Sequence, residues 1–149
     1  MSSLTDFLKR LRRQPTERRA APRYSTYLEK ALPVHVHLLG QKSGSAGESR
    51  SLGRVVGYTR DVSESGLGLV VPDLRIAGRN IVNAERLLLV IVGLPAGPVE
   101  MRAAGVRHVE MEKGNPEAGY LVGIQIREMA PADRSRYKKF INSLAVGDV

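Results

Sequence analysis

Three arginines ahead of the first predicted strand could hold an anion or a guanine base. Arg18 and Arg19 are adjacent, and Arg23 follows four residues after Arg19. A guanidinium pairs with phosphate, matches the O6 and N7 acceptors of guanine with two donors, and stacks on flat rings. Because Pro22 disfavours a helix here, we expect an extended or turn-like arm. Charge alone is also compatible with a solvated basic tail.

A second group of polar residues follows about forty positions later, in a turn between two predicted strands. Asp61 offers acceptors, Ser63 offers both a donor and an acceptor, and Gly66 would let a flat ligand approach the backbone. Aspartate and serine also bond their own backbone in tight turns, and Gly66 is expected to adopt the positive φ of such a connection. Taken alone, the turn indicates no more than a hairpin.

The charge of the chain is concentrated at its N-terminus. The 149 residues carry a net charge of +8, and the sequence pI is about 10.2. Residues 1–25 hold seven basic and two acidic side chains, a local charge of +5, which leaves +3 for the other 124 residues. The pattern predicts an anionic partner that meets the arm rather than the whole surface of the domain.

Composition narrows the class of protein. With 42% hydrophobic and 26% charged residues, the chain is expected to fold as one soluble domain, and it has no apolar run that could cross a membrane. The N-terminus lacks the apolar core of a signal peptide, so we expect a cytoplasmic location. The sequence contains no cysteine, which excludes disulfides, thiolate metal sites and cysteine nucleophiles.

Hydrophobic periodicity predicts short strands and one closing helix. The first strand has Val34, Val36 and Leu38 on one face and two histidines on the other. Five more strands are predicted at 54–60, 67–71, 87–92, 99–109 and 120–126, with a bulge near 103–105 and the strand at 87–92 most central. The predicted helix has Pro131 in its first turn, and its buried side comprises Tyr137, Phe140, Ile141 and Leu144.

The fold class follows from this order of elements. Six short strands, one terminal helix and no alternation of strands with helices favour a mainly β protein, a six-stranded antiparallel barrel that the helix covers. We expect a flexible basic arm before the barrel, in which the spacing of Leu4, Phe7, Leu8 and Leu11 predicts a narrow helical stripe that ends at Pro15. The stretch 40–53, rich in serine and glycine, predicts a flexible surface loop.

Together the two polar groups resemble the motifs of the PilZ family of cyclic di-GMP receptors. The resemblance lies in Arg19-x-x-x-Arg23 followed by Asp61-x-Ser63-x-x-Gly66. The sequence Glu-Arg-Arg-x-x-Pro-Arg-Tyr around the first motif and a Gly-Ile-Gln-Ile strand before the closing helix are also similar to that family. The match covers roughly residues 17–145, which predicts an N-terminal arm at 1–16 and a PilZ domain at 17–145.

The resemblance implies a stand-alone, non-catalytic receptor for a bacterial second messenger. Arg19 and Arg23 would bind phosphates and guanine faces, while three residues of the second motif, Asp61, Ser63 and Gly66, would line the base site. In this family, arginine at the position of Arg18 favours two intercalated cyclic di-GMP molecules and leucine favours one, so two are expected. Binding would order the arm and present a surface to an unidentified protein effector.

Other functions stay open at this point. A barrel that binds single-stranded nucleic acid would pair basic grooves with stacked aromatics, but the five Tyr and two Phe show no pair on a polar strand face. A third interpretation is a protein-docking module that needs no ligand. His35 and His37 have metal-ligand spacing without further ligands, and Ser63 lacks a nucleophile motif, so neither a metal site nor catalysis is expected.

Overall fold

A computed structural model describes residues 22–26, 31–40 and 50–147, which form nine strands and one helix. In chain order the elements are β1 (Tyr24–Ser25), β2 (Pro33–Gly40), β3 (Arg50–Val62), β4 (Gly66–Val71), β5 (Arg75–Ile76), β6 (Arg79–Asn80), β7 (Leu88–Leu94), β8 (Gly97–Glu112), β9 (Asn115–Glu128) and α1 (Pro131–Gly147). The predicted stripe at 4–11 and most of the predicted loop at 40–53 lie outside the described residues.

Six of the strands close into an antiparallel barrel, as predicted. Hydrogen-bonded neighbours run β3-β2-β7-β8-β9-β4, and β4 pairs back onto β3. The short β1 adds to β3, while β5 and β6 form a separate hairpin. Within the described ranges, no helix has the length and apolar character needed to span a membrane.

The apolar faces of the strands fill the barrel. In β2, Val34, Val36 and Leu38 are fully buried and the two histidines between them are half-buried, which confirms the predicted alternation. In β7 every second side chain is buried and those between are half-buried. The prediction that this strand is the most central has no counterpart here, because each strand of the closed barrel has two neighbours. Helix α1 buries Tyr137 and Ile141 against the same core, so its predicted inner face is also confirmed.

The bulge lies where the strand pattern predicted it, and glycines lie at the two hairpin turns that flank β8. Gly97 and Gly114, both with positive φ, belong to the tight hairpins that connect β7 to β8 and β8 to β9. The pairing of β8 with β9 shifts register on both sides of 103–105. Two strands begin well before their predicted starts: β3 begins at Arg50 rather than at residue 54, and β9 begins at Asn115 rather than at residue 120. Residues 50–53 pair with the end of β2, so tertiary pairing overrides their loop-like composition.

Candidate functional site

Arg23 and Asp61 join the two sequence motifs directly. The Nη1 atom of Arg23 donates to Oδ1 of Asp61 at 3.2 Å. The two side chains are 14% and 6% exposed, so salt screens their attraction less than that of a surface ion pair. Strand β1 sets this geometry, because Tyr24 and Ser25 pair with Val62 and Asp61. Two residues 38 positions apart therefore share one site.

Two buried threonines hold the backbone that follows Arg23 against the barrel. The hydroxyl of Thr26 donates to the hydroxyl oxygen of Thr59 at 2.7 Å, and both residues are fully buried. The Thr59 oxygen also accepts the backbone N–H of Leu32 at 2.9 Å, and the N–H of Thr26 donates to the carbonyl of Arg60 at 3.0 Å. These bonds hold the backbone that follows Arg23 against β3.

The Arg23 guanidinium keeps one donor unused among the described residues. Its Nε is buried and has no hydrogen-bond partner there, whereas Nη1 is engaged by Asp61. A buried donor without an acceptor carries a penalty of about 1–3 kcal/mol. A phosphate or base oxygen placed beside Arg23 would remove that penalty. The site therefore offers an anion a partly desolvated, oriented cation.

Gly68 makes room for the Asp61 carboxylate. A Cβ on Gly68 would lie 2.7 Å from Oδ1 of Asp61, closer than Cβ atoms approach other atoms. The two residues are register partners on β4 and β3. The sequence analysis assigned no role to Gly68, although its two-residue spacing from Gly66, which places both glycines on one strand face, was a visible signal.

Ser63 shapes the turn that follows Asp61. It is fully buried, and its hydroxyl accepts from the backbone N–H groups of Ser65 and Gly66 at 3.3 and 3.2 Å. The same hydroxyl lies 3.2 Å from the Gly66 carbonyl, to which it donates. The backbone N–H of Ser63 also donates to that carbonyl at 2.8 Å. These contacts hold the hydroxyl within the turn.

The reason for glycine at position 66 differs from the predicted one. The expected positive φ is wrong, because Gly66 is not among the described glycines with that conformation. Instead, a Cβ on Gly66 would lie 2.3 Å from the carbonyl oxygen of Ile124 on β9. Close approach of β4 to β9 therefore requires glycine there, and the turn does not need a left-handed residue at that point.

Helix α1 contributes a residue that sequence reasoning assigned only to the core. The hydroxyl of Tyr137 donates to the backbone carbonyl of Ser63 at 2.6 Å, and the Tyr137 side chain is fully buried. Burial raises the pKa of Tyr137 above its ordinary range, so the hydroxyl keeps its proton and remains a donor. Helical spacing revealed that this side chain is buried, but no sequence signal marked its partner.

The structure thus brings together four of the six predicted site residues. Arg23, Asp61, Ser63 and Gly66 meet where β1, β3 and β4 adjoin at one end of the barrel. The other two, Arg18 and Arg19, lie outside the described residues. On the barrel wall, His35 and His37 stack with ring centroids 6.5 Å apart. Among the residues that the structure covers, no three His, Asp or Glu side chains form a metal-binding group.

The chain belongs to the PilZ domain family, whose family model matches residues 17–143. A comparison with curated proteins gave no match. Within the described chain, the six-stranded barrel and closing helix agree with this assignment.

Two solved structures are similar in fold. One is described as the PilZ domain with c-di-GMP of YcgR from Escherichia coli; it is 13% identical, with a TM-score of 0.58, and the match covers 88% of this chain and 94% of that one. The other is described as MrkH, a c-di-GMP-dependent transcription regulatory factor. It is 15% identical, with a TM-score of 0.54, and the match covers 87% of this chain and 52% of that one. This chain therefore spans about half of the MrkH chain.

Proposed function

We propose that this protein is a non-catalytic receptor for cyclic di-GMP, which binds where the arm meets the barrel. The observation that carries the proposal is the Arg23–Asp61 pair, which joins the two family motifs at one end of a PilZ barrel. The YcgR domain, whose fold is similar, is described with c-di-GMP bound. The net charge of +8, concentrated in the arm, also favours a dianionic ligand.

In this proposal the arginines bind the ligand and Asp61 orients them. Arg23 is held by Asp61 through Nη1, which leaves Nε and the flat face of the guanidinium for phosphate or guanine. Arg19 would supply the second guanidinium of the arm. Because Arg23 is already positioned on the barrel, binding loses less conformational entropy than it would with a fully free arm.

Ser63 and Gly66 contribute through the shape of the turn. The Ser63 hydroxyl bonds within the turn, so Ser63→Ala should weaken affinity modestly by loosening the loop rather than by removing a dominant ligand contact. A side chain at Gly66 would push β4 away from β9 and move the turn. Asp61 also belongs to this turn region, so circular dichroism of Asp61→Ala must precede any affinity measurement.

Arg18 is proposed to set the number of ligands. A second cyclic di-GMP stacked on the first brings another dianion into the site, and the two repel each other. An additional guanidinium can neutralise part of that charge and stack on a guanine face. We therefore propose two intercalated molecules per chain.

The output is proposed to be conformational. Cyclic di-GMP would hold the arm in one position against the barrel. The ordered arm would then present a surface to a protein effector that is still to be identified. A ligand can shift such an equilibrium only by its differential affinity for the ordered state, so affinity and switching range should change together.

Equilibrium binding of Arg23→Ala tests the proposed site. We expect it to lose measurable cyclic di-GMP binding while circular dichroism retains the barrel signal. Arg79→Ala, in the exposed β5–β6 hairpin, is the matched control for loss of one positive charge and should bind like wild type. Wild-type affinity in Arg23→Ala would refute the proposed site.

A further inference from the structure

Two exposed apolar side chains lie next to each other on the outside of the barrel. On β3, Val56 is 46% exposed and Tyr58 is 41% exposed, whereas the alternate positions Val55 and Thr59 are buried. Side chains two positions apart on a strand share one face, so Val56 and Tyr58 form one surface. Among the large apolar side chains that the structure describes, only two others are exposed.

The neighbouring strands extend this surface. Register partners place Pro33 of β2 beside Tyr58, and His35 of β2 between Val56 and Ile91 of β7. Pro33 is exposed, while His35 and Ile91 are half-buried. The surface of Pro33, Val56, Tyr58 and Ile91 is called the open face below. A contiguous apolar surface of this kind on a single domain indicates a binding partner.

The open face has the width of one helix. It spans three strands, β3, β2 and β7, which lie side by side in the sheet order. Neighbouring strands are about 4.8 Å apart, so the face is roughly 10 Å wide. An α-helix with its side chains is about 10–12 Å in diameter. A single helix lying on the open face would therefore cover its apolar side chains.

Positive charge is concentrated along the β3 side of the open face. Arg54 and Arg60 lie at the two ends of the apolar pair on β3, and Arg54 is exposed. Nη1 of Arg54 donates to Nδ1 of His35 at 3.3 Å, which holds the guanidinium beside the apolar surface and engages one of its five donors. On the β8 side, Arg102 and Glu100 nearly balance each other. A partner with carboxylates over β3 would be attracted.

We propose that the open face binds an acidic amphipathic helix of a partner protein. The apolar side of the helix would cover Val56 and Ile91, and its carboxylates would lie against Arg54 and Arg60. The net charge of +8 disfavours a second copy of this chain as the occupant, because two such chains repel each other. Aliphatic side chains on the open face favour a protein over a single-stranded nucleic acid, whose bases prefer stacked aromatic rings.

This partner surface does not depend on the ligand assignment. Val56 precedes Asp61 by five residues on β3, roughly 16 Å along an extended strand. The helix would therefore bind beside the proposed cyclic di-GMP site rather than in it. An experiment without cyclic di-GMP tests the surface by itself, so its failure would leave the proposed receptor function untouched.

Titration of the full chain with a designed peptide, followed by methyl NMR, tests the proposal. The probe is a helix-forming peptide with leucines along one side and glutamates on the other, and its matched control has lysine in place of every glutamate. We expect saturable shifts of the Val56 and Ile91 methyl signals with the glutamate peptide and at least tenfold weaker binding of the lysine peptide. Raising the salt from about 0.05 M to about 0.5 M should weaken binding because it screens the charges.

Two substitutions and one control locate the binding surface, with the Ile91 methyl signals as the readout. Val56→Glu should weaken binding of the glutamate peptide at least tenfold, because it places a carboxylate in the apolar surface. Arg54→Glu should weaken it severalfold by reversing a charge. Val106→Glu changes a valine that is 36% exposed in the part of β8 beyond β7, and it should leave the affinity unchanged. Circular dichroism checks that each variant keeps the fold.

Four results would overturn the proposal. The first two are equal binding of the two peptides and wild-type affinity in Val56→Glu. The third is no shift of the Val56 and Ile91 methyl signals with the glutamate peptide. The last is a shift of these signals with protein concentration alone or with single-stranded RNA in place of the peptide, since the occupant would then be a second copy or a nucleic acid.

Discussion

The hydroxyl of Tyr137 donates to the backbone carbonyl of Ser63 at 2.6 Å and so ties the closing helix to the turn of the second motif. Burial is the main reason why the Tyr137 pKa is raised, and the charges of Arg23 and Asp61 also act on this hydroxyl. The arm, the turn and helix α1 thus meet at one point. A change in the arm or the turn is therefore expected to reach α1 through this contact.

Tyr137→Phe should destabilise the fold and weaken ligand binding. Removing the hydroxyl leaves the Ser63 carbonyl without this donor, which should lower the free energy of unfolding by about 1–2 kcal/mol. Chemical denaturation measures this loss, and titration with cyclic di-GMP should show severalfold weaker affinity. Tyr58→Phe, at an exposed tyrosine, should change stability by less than about 0.5 kcal/mol. If Tyr137→Phe and Tyr58→Phe show the same stability and the same affinity, the Tyr137 hydrogen bond supports neither the fold nor ligand binding.

Gly68→Ala should reduce affinity for cyclic di-GMP because the new side chain displaces the Asp61 carboxylate, although Asp61 itself is unchanged. The new Cβ would approach Oδ1 of Asp61 to 2.7 Å, so the carboxylate must shift and its bond to Arg23 must weaken. We expect at least a tenfold loss in cyclic di-GMP affinity, measured by titration. Gly78→Ala, in a turn with positive φ and open space, controls for the loss of a glycine away from the site. Unchanged affinity in Gly68→Ala would show that Asp61 does not orient Arg23 for binding.

Arg18→Leu should change the number of ligands bound rather than abolish binding. The substitution removes the cation proposed to neutralise a second dianion while it keeps Arg19 and Arg23. The stoichiometry measured by calorimetric titration should therefore fall from two cyclic di-GMP molecules per chain to one. A ratio that stays at the wild-type value would remove Arg18 from this role.

His37 should make the protein less stable in mild acid. Its pKa is lowered from 6.5, first by burial and then by the charges of Arg54 and His35, while Glu100 opposes the shift. Because the unfolded chain then takes up the proton first, the free energy of unfolding falls as the pH drops below about 6.5. Denaturation of wild type and His37→Gln at about pH 7.5 and about pH 5.5 measures this difference.

The His37→Gln variant should lose less stability than wild type over that range. His108→Gln, at an exposed histidine on β8, serves as the matched control for replacing a histidine with glutamine. The same pH dependence in wild type and His37→Gln would contradict the assignment.

Most of the barrel could be predicted because its strands alternate in hydropathy and its hairpins contain glycine. The start of β3 could not be predicted, because residues 50–53 have a loop-like composition and become a strand by pairing with the end of β2. Local composition reports what a segment favours alone, whereas pairing with a neighbouring strand decides the structure.

The candidate site was predictable as a set of residue types but not as a set of contacts. The motifs named Arg23 and Asp61, yet nothing in the sequence showed that they form an ion pair. Gly68 and Tyr137 were missed as site residues because their roles depend on register and on helix packing across the barrel. Gly66 was predicted for the wrong physical reason, since the limit on its side chain comes from β9.

The most direct test of the account is isothermal titration calorimetry of the full chain with cyclic di-GMP. At an ionic strength of about 0.15 M, nonspecific attraction to the basic arm is screened. GTP and a short single-stranded RNA serve as controls. The account predicts saturable binding of cyclic di-GMP alone, with two molecules per chain. Failure to bind cyclic di-GMP would contradict the account. If the protein then binds the RNA, a nucleic-acid-binding barrel is favoured. If it binds none of the three ligands, a protein-docking module is favoured.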